Sequence, residues 1–310
     1  MQDKTTHMQQ ALNERGGFQI WWRLLRPHTL TASFIPVFIG TMLAFIDHSF
    51  HILVFLSMLL ASILIQAATN MFNEYYDYVR GLDNETSVGI GGTIVRDKVA
   101  PKTVLKLALI FFAVAILLGV YICIASSWWI AVIGLICMIF GYLYTGGPFP
   151  IAYTPFGELC SGFLMGTVII GISYYIQTLT LTVDVVLISI PIAIFIGAIM
   201  LSNNIRDLDG DKLNGRKTVA ILIGRQNAIV LLASMFTIAY GLTAYFIIID
   251  MLPLWSLITF LSSKKALGVI LKFRGKTKPI DMLPAMIDTG KTNTLYGVLL
   301  ALSLLLSVLF

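Results

Sequence analysis

From Thr29 to the C-terminus, apolar runs of about 20 residues alternate with short polar interruptions, a length that carries a helix across a hydrocarbon core roughly 30 Å thick. The pattern predicts spans near Thr29 to Ile46, Ile52 to Phe72, Val104 to Ala125, Trp128 to Tyr144, Phe156 to Ile176, Val185 to Leu201, Ala228 to Ile249, Leu252 to Phe273 and Thr294 to Phe310. The expected fold is therefore all-α and polytopic, with about nine transmembrane helices.

Charge orients this array. With the N-terminus inside, the loops around His48, Ser126 to Trp129, Thr178 to Asp184 and Asp250 lie outside, and none holds a Lys or Arg. The 21 positive residues collect on the inner side, as the positive-inside rule requires. Lys264 and Lys265 strain the scheme, because they interrupt the eighth run where a charge is normally disfavoured. Residues 1–22 read as a polar cytoplasmic segment without a secretory leader, and residues 23–310 as the membrane domain.

Composition agrees: 57% of the 310 residues are hydrophobic and only 12% charged, more apolar surface than a soluble core of this size could hide. The net charge of +5 belongs to the inner loops and to anionic lipid, not to nucleic acid. Cys123, Cys137 and Cys160 lie in apolar runs with no disulfide or metal spacing, and the four histidines are scattered.

Two span ends break the apolar pattern in the same way. The second run finishes NMFNEYYDYVRG, Asn70 to Gly81, and the sixth finishes NIRDLDGDKLNG, Asn204 to Gly215. A shift of 134 positions (204 − 70) pairs Asn70 with Asn204, Asn73 with Asp207, Asp77 with Asp211 and Gly81 with Gly215. On a helix, offsets of 0, 3, 7 and 11 fall in one stripe about 80° wide. Both spans run from outside to inside, so the stripes share a depth and can face one another as halves of a parallel repeat.

Facing acidic stripes repel unless cations lie between them. An oxygen-only donor set suits Mg²⁺, which takes a few carboxylates and leaves its other positions to water and phosphate oxygens; a diphosphate is the implied ligand. Cations follow each stripe and could neutralise a departing diphosphate: Arg80, Arg96 and Lys98, then Arg206, Lys212, Arg216 and Lys217. Such residues also serve simply as topology determinants.

These residues resemble a known family. Asn70-x-x-Asn73-x-x-x-Asp77 with Asp83 beyond, and Asp207-x-x-x-Asp211 followed by Gly215 and Thr218, look like the two aspartate-rich motifs of the UbiA superfamily of intramembrane prenyltransferases. YTGGPFPIAYTPFGE, Tyr144 to Glu158, and RPHTLTASFIPVFIG, Arg26 to Gly40, are similar to stretches of its 1,4-dihydroxy-2-naphthoate polyprenyltransferases of menaquinone biosynthesis. The resemblance implies nine helices around a central cavity in the cell membrane, with the active site facing the cytoplasm. It also implies Mg²⁺ held by Asn70, Asn73, Asp77, Asp207 and Asp211, with Asp83 and Asn204 as further candidates. Asn73, Asp77, Asp207 and Asp211 would be catalytic, and Arg80, Arg96, Lys98, Arg206, Lys217 and Tyr144 would face the diphosphate. Tyr142, Tyr153 and Glu158 fall to the acceptor or the cavity wall. The implied substrates are a polyprenyl diphosphate and 1,4-dihydroxy-2-naphthoate, in contact with membrane lipid; the implied products are demethylmenaquinol, CO₂ and diphosphate. Glu74 stands where relatives usually have Asp, which ranks it below Asp77 as a ligand, and His28 stands where they more often have Lys or Arg.

Competing readings remain at this level. A sibling enzyme would use 4-hydroxybenzoate, haem or a chlorophyllide as acceptor, a secondary transporter would show an inverted repeat with charges at mid-depth, and a scaffold would show no coupling between the stripes.

Overall fold

The computed structural model describes residues 17–82 and 92–310. Asp83 and most of the predicted N-terminal segment lie outside the described residues. Within them every regular element is helical. Eight helices are long and apolar enough to span a membrane: α2 (Pro27–Ile46), α3 (Ile52–Val79), α5 (Pro101–Ala125), α7 (Gly157–Thr178), α8 (Val183–Leu213), α10 (Arg225–Ile248), α11 (Leu254–Phe273) and α12 (Pro279–Leu309). A shorter apolar helix, α6 (Trp129–Leu143), occupies the predicted fourth span. Three short helices, α1 (Gly17–Leu25), α4 (Thr93–Arg96) and α9 (Val219–Ile223), lie at the basic end.

Several span ends differ from expectation, and length explains why. At 1.5 Å per residue, the 28 residues of α3 and the 31 of α8 reach about 42 and 46 Å, well beyond a ~30 Å core. The excess carries the polar stripes, so the carboxylates ride on helix that outruns the hydrocarbon. The sequence places the ends of these runs at Phe72 and Leu201; the helices continue to Val79 and Leu213, with no proline in either extension and only Gly210 as a poor helix former, and they turn off at Gly81 and Gly215.

Lys264 and Lys265 also find an account. The first nine residues of α11, Leu254–Ser262, are wound as 3₁₀ helix, whose ~2.0 Å rise carries the lysines about 4 to 5 Å further toward the basic end than α winding would. Lys264 is exposed, and a snorkelling side chain covers the remaining distance.

The helices pack in two groups. α3 packs chiefly on α5, while α8 packs on α10, α7 and α12; α2 joins the groups through α3, α7 and α12. The largest buried cluster, including Ile35, Phe195, Ile196, Leu201, Phe236 and Tyr296, fills the second group. Leu24, Met71, Phe72, Ile94 and Val104 form a separate core under the first.

Glycines set the closest approaches. A Cβ on Gly162 would lie 2.5 Å from the Ala193 carbonyl oxygen, and one on Gly166 would lie 2.5 Å from the Ala193 Cα. These contacts fit the small-residue packing expected of membrane helices. They fall where α7 widens into a π-helical stretch, Gly162–Val168, a winding frequently found beside functional sites.

Candidate active site

The duplicated spacing becomes duplicated structure. At the end of α3 the Leu82 N–H donates to the Asp77 carbonyl (2.8 Å) and the Gly81 N–H to that of Tyr78 (3.0 Å). At the end of α8 the Arg216 N–H donates to the Asp211 carbonyl (3.0 Å) and the Gly215 N–H to that of Lys212 (3.2 Å). Both sets are Schellman turns, which need a left-handed residue after the cap. Gly81 and Gly215 supply it at φ 73° and 76°. Each glycine thus fixes where its chain turns off the stripe, and hence where the following residues lie.

Arg216 joins the stripes. One of its terminal nitrogens lies 3.0 Å from Asp77 Oδ1 and the other 3.1 Å from Asp211 Oδ1. Asp77 and Asp211 therefore face one another within the reach of a single guanidinium, although α3 and α8 belong to different packing groups. Burial by itself would lower the Arg216 pKa; the two carboxylates and Tyr153 more than offset it and hold it above its usual value.

The loop after α6 roofs this point. Arg80 donates to the carbonyls of Thr145 and Gly147 (2.8 Å for the latter), and the Thr145 hydroxyl donates to Asn73 Oδ1 at 2.6 Å. Gly147 sits at φ 72°, and a Cβ on Gly146 would lie 2.7 Å from the Tyr142 carbonyl oxygen, so the GGP turn needs both glycines. From the other half, the Lys217 N–H donates to the Tyr153 carbonyl at 2.9 Å. The Tyr153 ring has the Arg216 guanidinium at 5.0 Å and that of Arg80 at 5.6 Å, both within cation–π range.

The remaining predicted residues divide. Asp207 is chelated by Arg206, with Nε 2.7 Å from Oδ1, and keeps its side chain about a third exposed. Arg206 also reaches the Met286 sulfur. Asn70 is buried and occupied: its amide nitrogen donates to the Leu25 carbonyl (2.8 Å) and Thr29 Oγ1 (2.9 Å), and its oxygen accepts from Gln66. Asn204 donates to Glu158 at 2.9 Å. Tyr142 shares a 2.8 Å hydrogen bond with Tyr76 on the α3 side. Tyr144 accepts at its carbonyl from the Ala152 N–H at 2.9 Å. Arg96 ends α4 and Lys98 is exposed at φ 54°, whereas Lys217 is exposed beside the Arg216 bridge.

Glu74 faces away from this site. It is fully buried and accepts from Thr93 Oγ1 and the Ile94 N–H (3.0 Å), which anchors α4. At 100° per residue it sits 60° from Asp77 and 100° from Asn73, just outside the stripe, and its bonded oxygen is committed to α4.

Two residues carry weight that the spacing alone did not assign. Arg216 was one loop cation among several; the signal was the point where the repeat breaks, since Leu82 stands at its position in the first half. Thr145 had no signal beyond its place in the YTGGP stretch.

The donor set fits a hard divalent ion. Asp77, Asp211, Asp207 and Asn73 offer only oxygen. Among the described residues no three His, Cys, Asp or Glu side chains form a ready-made cage. Mg²⁺ takes one or two carboxylates and completes its shell with water and phosphate oxygens.

The match to the UbiA prenyltransferase family covers residues 33–279. The chain belongs to the UbiA prenyltransferase family. It is 54% identical to the 1,4-dihydroxy-2-naphthoate octaprenyltransferase of Bacillus subtilis, over 93% of each chain. It is 28% identical to the enzyme of the same name from Mycobacterium tuberculosis, over 92% of this chain and 96% of that one. Among solved structures, the fold matches a UbiA homologue from Aeropyrum pernix with a TM-score of 0.68 at 14% identity, covering 91% of this chain and 98% of that one. A UbiA homologue from Archaeoglobus fulgidus, bound to GPP and Mg²⁺, matches with a TM-score of 0.60 at 16% identity, over 91% and 99%. This UbiA family member thus shares its all-helical fold with solved homologues.

Proposed function

We propose that this UbiA-family enzyme transfers a polyprenyl group from its diphosphate to 1,4-dihydroxy-2-naphthoate, with loss of CO₂ and diphosphate, giving demethylmenaquinol. The single observation that carries the chemistry is the Arg216 bridge, which brings Asp77 and Asp211 to one point. The 54% identity to the Bacillus subtilis enzyme supports the choice of acceptor.

In this reading Asp77 and Asp211, with Asp207 and Asn73, would hold Mg²⁺. Mg²⁺, when bound, stabilises the negative charge that grows on the diphosphate as the allylic C–O bond breaks. Arg216, Arg80 and Lys217 take up charge on the outer oxygens, and the Tyr153 ring keeps the two guanidiniums in place. The allylic carbon becomes cationic as its bond breaks, and the apolar helices around it exclude the water that would otherwise quench it. The ring carbon of the acceptor bearing the carboxylate forms the new bond and then releases CO₂. The basic rim faces the cytoplasm, residues 1–22 lie there too, and the enzyme sits in the cell membrane.

The test is an assay of membranes carrying the protein, with one polyprenyl diphosphate and a panel of aromatic acceptors. Conversion of 1,4-dihydroxy-2-naphthoate to a less polar quinol with release of CO₂, abolished by chelator and restored by Mg²⁺, is the expected result. Conversion of 4-hydroxybenzoate instead would move the enzyme to a sibling activity. Turnover undiminished by excess chelator would overturn the metal assignment.

A further inference from the structure

Arg216 occupies an unusual position for a phosphate-binding cation. It lies one residue past the Gly215 turn, its N–H tied to the Asp211 carbonyl, and its side chain folds back over the stripe that its own main chain has just left. Both terminal nitrogens are engaged, by Asp77 and by Asp211, while Nε is buried without a hydrogen-bond partner. The side chains of all three residues are less than a fifth exposed.

The carboxylates that Arg216 engages are those the divalent ion would use. The ion therefore competes with an internal cation. If it displaced the guanidinium without a replacement anion, a buried positive charge would lose both partners, which is costly. A diphosphate removes that cost, since it offers the fork new oxygens in the same place.

Building on the prenyl-transfer reading above, we propose that Arg216 makes divalent-metal binding contingent on diphosphate. The guanidinium neutralises Asp77 and Asp211 until the diphosphate arrives, then passes to the diphosphate oxygens and releases the carboxylates to the ion. Metal and diphosphate thus bind with positive coupling, each raising the affinity of the other by the same factor. The duplication supports this division of labour: Leu82, the counterpart of Arg216, cannot perform the exchange, so one switch serves both stripes.

The experiment titrates Mg²⁺ into the detergent-solubilised full chain, with and without inorganic diphosphate, for the wild type and Arg216→Gln. Calorimetry and the shift in thermal unfolding report binding without turnover, and the solution equilibrium between Mg²⁺ and diphosphate is the same for both proteins. Without diphosphate, Arg216→Gln binds Mg²⁺ about tenfold or more tightly than the wild type, and diphosphate strengthens Mg²⁺ binding by a smaller factor in the variant, in line with ordinary coupling magnitudes. Equal Mg²⁺ affinities without diphosphate, or an equal diphosphate effect in both proteins, would overturn the exchange while leaving the diphosphate site standing. Binding of neither ligand to either protein would overturn the site and the exchange with it. Should Arg216→Gln not fold, Arg216→Lys replaces it: a lysine cannot fork between two carboxylates, so tighter Mg²⁺ binding than the wild type is again expected and equality overturns the proposal.

Discussion

The two stripes share a spacing, a terminating turn and a depth, yet they are stabilised by different means. On α3 the site-facing pair is Asn73 and Asp77; Asn73 is held by the Thr145 hydroxyl, and the neighbouring Arg80 donates to the carbonyls of the loop overhead. On α8 the pair is Asp207 and Asp211, both carboxylates, and each is held by an arginine of its own half. The first stripe therefore locks the roof and the second concentrates charge. A duplicated unit has kept its geometry and divided its duties.

The positions at the start of the stripes make the same point. Asn70 and Asn204 both turn aside from the carboxylate pair, Asn70 to the α1–α2 junction and Asn204 to Glu158 on α7. Each half thus uses its deeper amide as a tether and its outer two residues at the site.

The largest effects should come from the shared carboxylates. Asp77→Asn and Asp211→Asn are each expected to lower kcat/KM by about 10²-fold or more, the usual scale for losing a group that stabilises developing charge. Steady-state kinetics with saturating Mg²⁺ checks this. A loss confined to one of the two would break the symmetry on which the paired-stripe reading stands.

Next comes the roof. Arg80→Ala removes two donations to main-chain carbonyls and a stacking partner of Tyr153. Hydrogen bonds to charged groups contribute ~1.5 to 3 kcal/mol each, so a drop of at least tenfold in kcat/KM is expected. Lys217→Ala, which loses only an exposed side chain, should cost less. Equal losses would mean that the roof is held from the α8 side instead.

The glycine turns sharpen the comparison further. Gly81 and Gly215 have left-handed backbones with nothing within 4 Å of an added Cβ, so alanine meets only backbone strain. Gly81→Ala and Gly215→Ala are each expected to destabilise by about 1 to 2 kcal/mol, seen as similar falls in thermal unfolding temperature. Unequal falls would show that one turn is cushioned by its surroundings.

Much of this arrangement is legible in the amino-acid sequence because the bilayer and the duplication both leave regular marks. The apolar runs predict the spans, since lipid admits no unsatisfied backbone. The shift of 134 positions between Asn70 and Asn204 predicts facing stripes. What escapes is rotation and direction. A stripe about 80° wide does not reveal that Asn70 spends its amide on Leu25 and Thr29, because its partners lie 45 and 41 residues away. Nor does spacing say which loop cation folds back, a choice made by the turn at Gly215. The 3₁₀ winding that carries Lys264 and Lys265 outward is likewise invisible in a hydropathy pattern.

The smallest effect on chemistry should come from Glu74, where the halves differ most in character. Its counterpart under the same shift is Leu208, a buried member of the apolar core. In the first half that place holds a carboxylate that accepts from Thr93 Oγ1 and the Ile94 N–H. Glu74→Gln keeps an acceptor oxygen and should leave kcat/KM within about twofold, since the side chain faces away from the paired carboxylates. Glu74→Leu copies the second half and strands two buried donors, at a cost of about 1 to 3 kcal/mol each. Faster hydrogen exchange at Ile94 and its helix is then expected, with the Asp77–Asp211 pair undisturbed. A Glu74→Gln variant as impaired as Asp77→Asn would instead place Glu74 among the groups that hold the metal, and the contrast between the back and front of α3 would fail.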